Sequence, residues 1–220
     1  MVNEFDIKYF NKINSIDSKF FDLYFRFITN FGHVIIWLFV MLVYSAFNLY
    51  EIAILFFACL LFGTPVTPIL QYLVNRQRPH QQLDENKINL RTYESSYCSP
   101  SAHSERVFFA TTVLTLIASP WYSLLYIVAI SVAISRVYLG AHFPLDTIFG
   151  AAVGIISSLL ILLLIRPFTF FVIDAILLVS PYAYKWNILL FFIGFFIGAL
   201  IISWKLHVRK DEKLKIHLNK

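Results

Sequence analysis

Long apolar runs, separated by short polar segments, constrain the fold of this chain more than any other feature. The runs cover residues 34–50, 52–75, 99–119, 121–139, 147–165 and 187–204. About 20 mainly apolar residues are needed for a helix to cross a bilayer, and a helix satisfies its own backbone hydrogen bonds there. The runs therefore predict an all-α polytopic bundle of about six transmembrane helices, with Pro65 and Pro68 kinking the second.

The remaining segments complete a single predicted domain over residues 1–220. In residues 1–31 apolar side chains recur at helical spacing among charged ones, which predicts an amphipathic interfacial helix, broken near Asn14–Ser15. We expect helix five to end at Arg166–Pro167. The short apolar run at 168–180 is then interfacial or re-entrant, with a further span as the alternative. Residues 205–220 form a basic tail.

Composition narrows the class of protein. With 59% hydrophobic and 14% charged residues, the chain has the profile of an integral membrane protein. Its net charge of +5 fits either anchoring to anionic lipids or an electropositive mouth for an anionic substrate. The sequence lacks the patterns typical of nucleic-acid binding, so nucleic acid is not an expected partner. Cys59 lies in an apolar run and Cys98 in a loop, so we expect no bridge between them.

The segment from Ser135 to Asp146 places an arginine, a histidine and an aspartate between two apolar runs. A charged side chain at the centre of a membrane helix costs about 2.5–3.5 kcal/mol, so such residues mark function. Gly140 suits a helix C-terminus and Pro144 suits a first helical turn. Asp146 is then expected to accept a hydrogen bond from one ring nitrogen of His142, which leaves the other nitrogen free to attack. The alternative is a loop histidine that only caps a helix.

Helix parity brings three polar clusters to one membrane face. They are Arg76-Gln77-Arg78-Pro79, Pro100-Ser101-Ala102-His103 and the segment 135–146. The second cluster opens a helix, whose first turn offers free backbone N–H groups for an anion. The arginines add planar forks that match phosphate oxygens. Together the clusters predict a phosphate pocket at the membrane surface.

These clusters resemble the signature of the type 2 phosphatidic acid phosphatase (PAP2) superfamily. Its three motifs are Lys-x6-Arg-Pro, Pro-Ser-Gly-His and Ser-Arg-x5-His-x3-Asp. The matching residues are Arg78 and Pro79, then Pro100, Ser101 and His103, then Ser135, Arg136, His142 and Asp146. The chain departs from the motifs at Gln71, where the family has lysine, and at Ala102, where it has glycine. The resemblance covers about residues 20–165.

The resemblance implies a role for each matching residue. His142 would be the nucleophile of a phosphohistidine intermediate, Asp146 would hold its tautomer, and His103 would protonate the leaving oxygen and then activate water. The phosphoryl oxygens would be held by Arg78, Arg136, Ser101, backbone amides near Ala102 and the amide of Gln71, with Arg76 compensating for the missing lysine charge. No metal or other cofactor is implied.

The expected activity is hydrolysis of a phosphate monoester or pyrophosphate on a membrane lipid. Candidate substrates are undecaprenyl pyrophosphate, phosphatidylglycerophosphate, phosphatidic acid and lipid A phosphates. The alternatives are a lipid phosphotransferase using the same histidine, and an inactive lipid-binding or transport protein. The resemblance implies a bacterial inner (cytoplasmic) membrane, with the active site facing the periplasm or exterior. The basic tail should be cytoplasmic. A site that faces the exterior and a cytoplasmic tail are compatible only if residues 168–180 form a further span or the tail does not follow the positive-inside tendency.

Overall fold

The computed structural model describes residues 3–83, 88–179 and 188–202, and every regular element in these ranges is helical. The helices are α1 (Glu4–Asn14), α2 (Lys19–Ile28), α3 (Val34–Ala46), α4 (Tyr50–Gly63), α5 (Val66–Val74), α6 (Pro79–Gln82), α7 (Ala102–Ile117), α8 (Leu125–Tyr138), α9 (Pro144–Val179) and α10 (Ile188–Ile202). Short 3-10 turns at Thr29–Gly32 and Pro120–Leu124 precede α3 and α8. The predicted all-α class is confirmed for the described residues.

Three helical segments of the described chain are long and apolar enough to cross a membrane: Tyr50–Gln82, Pro120–Tyr138 and Pro144–Phe171. A fourth crossing is formed if Lys19–Gly32 and Val34–Ala46, which meet at a bend of 62°, count as one broken span. The expected total of about six needs α7 and the short apolar α10 to cross as well. The chain is thus an integral membrane protein, and six spans remain a proposal.

The N-terminal segment breaks where the sequence predicts, because α1 ends at Asn14 and α2 begins only at Lys19. Helix α2 keeps an outward apolar face, with Phe20, Leu23 and Phe27 exposed to 70%, 74% and 63%. Helix α1 instead buries Phe10 against Phe143, their ring centroids 5.4 Å apart. This segment therefore packs on the turn before α9, and its placement in the membrane interface stays a proposal.

Prolines act differently in two of the apolar runs. The second run is interrupted between Gly63 and Val66, close to Pro65, and Tyr50–Gln82 still forms one candidate span, as expected of a kinked helix. Helix α9 instead continues through Pro167 to Val179, so the expected end of helix five at 166–167 is wrong. Proline removes one N–H donor, and membrane helices tolerate such a loss. The separate interfacial segment at 168–180 is likewise wrong for residues 168–179, while Ser180 lies outside the described residues.

Helix α7 lies at the centre of the bundle and approaches α9 at backbone distance. A Cβ atom built on Gly150 would lie 2.5 Å from the carbonyl oxygen of Ser101, and one built on Gly154 would lie 2.4 Å from that of Glu105. Two glycines four residues apart therefore let α9 touch the first turns of α7. This contact fixes the start of α7 against the start of α9, and both ends carry candidate site residues.

Candidate active site

All three motifs contribute to one pocket. Arg78 immediately precedes α6, Ser101 and His103 begin α7, Arg136 lies in the last turn of α8, and His142 follows in the turn before α9. The exposed fractions of these five residues lie between 0% and 7%. Gly140 ends α8 with a φ of +78°, the left-handed conformation that glycine adopts without strain, and α9 begins at Pro144 as the sequence predicts.

A carboxylate occupies the centre of this pocket. Glu94 accepts hydrogen bonds from Arg136 at 2.5 Å and from Arg78 at 2.9 Å. Its two oxygens also lie 3.7 Å from Nε2 of His142 and 4.0 Å from Nδ1 of His103. Both arginines and both histidines therefore lie around one small anionic group. This arrangement is the one expected of residues that share a single phosphoryl group.

The tautomer of His142 follows from its neighbours. Nδ1 lies 2.7 Å from the carbonyl oxygen of Cys98, which can only accept, so Nδ1 carries the proton. Nε2 then carries the lone pair, which accepts a hydrogen bond from a guanidinium N–H of Arg78 at 3.2 Å. Burial and the positive charge of Arg78 lower the pKa of His142, and the negative charge of Glu94 does not outweigh them. The ring is therefore neutral at pH 7, with its nucleophilic nitrogen in the pocket.

Asp146 does not make the expected hydrogen bond to His142. One of its oxygens accepts from the backbone N–H of Phe143 at 3.0 Å and from the thiol of Cys98 at 2.9 Å. The other oxygen accepts from Arg76 at 2.6 Å. The carbonyl group of Cys98 takes the place expected for Asp146, and Asp146 instead contacts the turn and the thiol of Cys98.

Arg76 lies in this supporting network rather than at the central carboxylate. Its two terminal nitrogens donate to Asp6 and Asp146, both 0% exposed, and its guanidinium lies 4.9 Å from the ring centroid of Phe143. Asp6 in turn accepts from the backbone N–H of Leu145 at 2.9 Å. The expected phosphate contact of Arg76 is therefore replaced by two carboxylate contacts, because the rigid fork already has partners of the right geometry.

Gln71 also has a partner in the protein. Its amide nitrogen donates to the carbonyl oxygen of Pro100 at 2.9 Å, and its exposed fraction is 7%. The residue that replaces the family lysine thus holds the second motif against the first. The amide nitrogen carries a second N–H, so the expected phosphate contact does not require this bond to break.

Several donors around the pocket have no protein partner. Within the described residues, Oγ of Ser101 and Nε of Arg136 are buried without a hydrogen bond. The backbone N–H groups that open α7, starting at Ala102, belong to the first turn and have no helical acceptor. His33 lies close by, its ring centroid 4.7 Å from that of His103. Unpaired donors beside two buried guanidinium groups form a site that is complementary to an oxyanion.

Electrostatics keep the central carboxylate ionised. Burial alone raises the pKa of Glu94, but the charge of Arg136, the contact with His142 and the charges of His103 and Arg78 outweigh it. The net pKa of Glu94 lies well below the usual range. The pocket thus favours a bound negative charge strongly enough to reverse the desolvation penalty.

Cys98, His142 and Asp146 form the group that comes nearest to a metal site in the described residues, with possible ligand atoms within 4.8 Å of one another. Burial and the nearby charge of Asp146 raise the pKa of Cys98, so a metal ion here would have to displace the thiol proton. The positive charge of Arg76 at 2.6 Å from Asp146 further opposes a cation here.

Three residues of the candidate site are not identified from the sequence. Glu94 and Cys98 lie in the polar segment before α7, and Asp6 lies in α1, where it reads as one of many charges on an amphipathic helix. None belongs to a motif, so spacing gives no signal for Glu94 or Cys98. For Asp6 the neighbouring charges on α1 hide any signal, and the sequence does not indicate its partner.

Comparisons with known proteins support the family resemblance drawn from the sequence. Residues 51–171 match the model of the PAP2 superfamily. The undecaprenyl-diphosphatase of Sulfolobus acidocaldarius is 32% identical over 87 residues, which cover 39% of this chain and 42% of that protein, so the chain matches less than half of this relative's length. The crystal structure of Aquifex aeolicus LpxE superposes with a TM-score of 0.61 and 25% identity, covering 71% of this chain and 93% of that one.

A second solved structure, the PAP2-type phosphatidylglycerolphosphate phosphatase of Bacillus subtilis, shares the fold with a TM-score of 0.59 and 22% identity, covering 71% of this chain and 82% of that one. The family match spans more than half of the chain and contains all three motifs, so the resemblance drawn from the sequence is confirmed: the chain belongs to the PAP2 superfamily.

Proposed function

We propose that the chain is a membrane phosphatase that hydrolyses a phosphate monoester or pyrophosphate of a lipid through a phosphohistidine at His142. The observation that carries this proposal is the position of Nε2 of His142, unprotonated and directed at an anion that both Arg78 and Arg136 hold. The name of one relative, the undecaprenyl-diphosphatase of Sulfolobus acidocaldarius, supports the same class of reaction.

In the first step Nε2 of His142 attacks phosphorus, and the bond between phosphorus and the lipid oxygen breaks. His103, which takes up a proton when the phosphate dianion binds beside it, gives that proton to the departing oxygen. The guanidinium groups of Arg78 and Arg136, together with the hydroxyl of Ser101, stabilise the charge on the phosphoryl oxygens in the transition state. The carbonyl of Cys98 stabilises the positive charge that His142 acquires, since it accepts from Nδ1.

In the second step water attacks phosphorus and the bond to Nε2 breaks. His103 now takes a proton from the water and returns to its starting state. General acid–base help of this kind contributes about 10²–10⁴-fold to the rate. The products are inorganic phosphate and either the lipid alcohol, from a monoester, or the lipid monophosphate, from a pyrophosphate, and the proton that is donated in the first step is regained in the second.

An apolar groove supports a lipid as the substrate. It encloses about 470 Å³ between α3, α4 and α10, and it is lined mainly by side chains such as Leu38, Phe57 and Leu60. His33 and Arg106 lie at its polar part, and the His33 ring contacts that of His103. A substrate with its phosphate at His142 can place a tail in this groove, within reach of the surrounding membrane.

The proposal includes an active site that faces the periplasm or exterior of an inner membrane. Because α9 is one helix through Pro167, residues 168–179 add no extra crossing, and α10 returns the chain to the face of the site if it spans. The end of α10 is then on the same face as the site, and the predicted basic tail at 205–220, which lies outside the described residues, would follow it there, contrary to the positive-inside tendency. Cysteines placed at Glu4 and Lys205 test this with an impermeant maleimide on intact cells: labelling at both supports the proposal, and labelling at neither places the site in the cytoplasm.

The enzymatic proposal is tested with purified protein and a panel of phosphorylated lipids. Wild type should release phosphate from at least one lipid, and His142→Ala should lose at least about 10³-fold of that rate because it lacks the nucleophile. Labelled substrate should leave an acid-labile phosphate on the wild-type protein only. Transfer of the label to a second lipid instead of water would favour the phosphotransferase. Equal phosphate release by His142→Ala and wild type would exclude the mechanism.

A further inference from the structure

The central carboxylate of Glu94 leads to a second proposal, which rests on the proposed function in taking the pocket as the phosphoryl site. We propose that Glu94 is a built-in competitor for the substrate phosphate: it fills the site in the free protein, must leave before phosphate binds, and returns to expel the product. Because every anion must displace this carboxylate, Glu94 would lower the affinity of the site for each of them.

Geometry makes the two occupants mutually exclusive. Nucleophilic attack requires phosphorus about 3–3.5 Å from Nε2 of His142. One carboxylate oxygen of Glu94 already lies 3.7 Å from this nitrogen, and the two oxygens take the donors of Arg78 and Arg136 at 2.9 and 2.5 Å. A phosphoryl group in position for attack would overlap the carboxylate and require the same donors.

Glu94 lies on a segment that is anchored on both sides. Before it, Arg91 donates to the carbonyl oxygens of Tyr138 at 3.0 Å and Ile16 at 2.8 Å. After it, the carbonyl oxygen and hydroxyl of Ser96 accept from Arg78 at 2.6 and 2.9 Å. The residues between these anchors lie outside any helix, and the side chain of Glu94 is 16% exposed, so it borders the opening of the pocket. Its carboxylate can leave while both anchors stay.

Charge explains why the site needs an occupant. Arg78 and Arg136 are 1% and 2% exposed, and buried charges without a partner are strongly unfavourable. Glu94 supplies one negative charge against their two positive charges. A phosphomonoester dianion supplies two, so it replaces Glu94 with a gain in charge balance. A monoanion only exchanges one negative charge for another and gains nothing from displacement.

Competition also predicts faster product release. Departing inorganic phosphate leaves two guanidinium groups without an anionic partner unless another anion replaces it, and Glu94 is already tethered beside the site. A tethered group acts at a high effective concentration. Removal of the carboxylate should therefore strengthen phosphate binding and product inhibition together.

The test measures the dissociation constant of inorganic phosphate for the full-length detergent-purified protein. Glu94→Gln should bind phosphate at least about tenfold more tightly than wild type, since the apparent affinity of a site rises with the fraction of molecules in which it is free. Glu51→Gln is the matched control, because Glu51 is exposed at the start of α4, and it should leave the constant unchanged. Product inhibition by phosphate should increase by the same factor as binding.

Equal or weaker phosphate binding by Glu94→Gln would overturn the proposal. If that variant does not fold, Glu94→Asp decides: its shorter side chain keeps the charge but reaches the arginines less well, so phosphate should bind more tightly than to wild type, and an unchanged or weaker constant would overturn the proposal. The two proposals fail separately. Tighter binding by Glu94→Gln without turnover of any lipid by wild type removes the proposed activity alone, and turnover without tighter binding removes the competitor alone.

Discussion

Arg76→Gln is expected to destabilise the fold and slow turnover while leaving phosphate affinity almost unchanged. The substitution removes the cation between Asp6 and Asp146, whose carboxylates are both 0% exposed. Removing one partner of a buried ion pair costs about 3–5 kcal/mol. The Arg76 side chain is 18% exposed and glutamine can still donate to one carboxylate, so the lower end, about 3 kcal/mol, applies here.

A loss of this size is a large share of the total stability, since folded domains are stable by about 5–15 kcal/mol. The rate should fall because Asp6 and Asp146 hold the backbone of Leu145 and Phe143, which flank the turn that carries His142. A misplacement of about 1 Å in a reacting group costs about 10²-fold in rate.

The assay compares the unfolding midpoint in one detergent, the dissociation constant of inorganic phosphate, and kcat. Arg26→Gln is the matched control, because Arg26 is exposed on α2, and it should change none of the three. Arg78→Gln is the opposite control and should weaken phosphate binding. An Arg76→Gln protein with an unchanged unfolding midpoint and phosphate binding weakened tenfold or more would refute this reasoning. Arg76 would then be assigned to the phosphate contact expected from the sequence.

Three further predictions concern the neighbourhood of the site. Gly154→Ala should destabilise the protein by about 1–3 kcal/mol or more, measured as a lower unfolding midpoint, because its Cβ would lie 2.4 Å from the carbonyl oxygen of Glu105. The acid limb of kcat/KM should lie below pH 6.5, since the pKa of His142 is lowered and attack requires the neutral ring, so activity is present above that pKa and is lost as pH falls through it. Cys98 should resist iodoacetamide at pH 8 in the folded protein, because it is buried and its pKa is raised. Cys98→Ser should retain most activity because a hydroxyl can still donate to Asp146, whereas Cys98→Val should lose more activity.

The sequence predicts the motif residues of the site because their positions follow from local rules. Gly140 and Pro144 define the turn that carries His142, and the structure has both boundaries where these residues place them. Parity of the apolar runs brings the turn, the start of α7 and Arg78 together without any long-range information. Such signals lie in one short segment or in the order of segments, so a single sequence contains them.

The partners of these residues could not be predicted in the same way. Asp6 in α1 contacts Arg76 and the backbone of Leu145 in α9, which lie far from it in the sequence. No rule of sequence spacing connects positions so distant. Pro167 shows a different limit. A proline inside an apolar run ends a helix in water more often than in a membrane, where the single lost donor does not require the chain to turn.

The two carboxylate–arginine clusters beside His142 differ in one physical respect that bears on function. Asp6 and Asp146 are held on the first turns of α1 and α9, so their bonds to Arg76 are part of the packing of two helices. Glu94 lies outside any helix, so its bonds to Arg78 and Arg136 can be exchanged without moving a helix. A cluster with exchangeable carboxylate can bind a substrate anion, whereas one with fixed carboxylates can only support the turn. Arginine alone therefore does not identify the proposed phosphate site: the position of its carboxylate partner, outside a helix for Arg78 and Arg136 and on helices for Arg76, separates the two clusters.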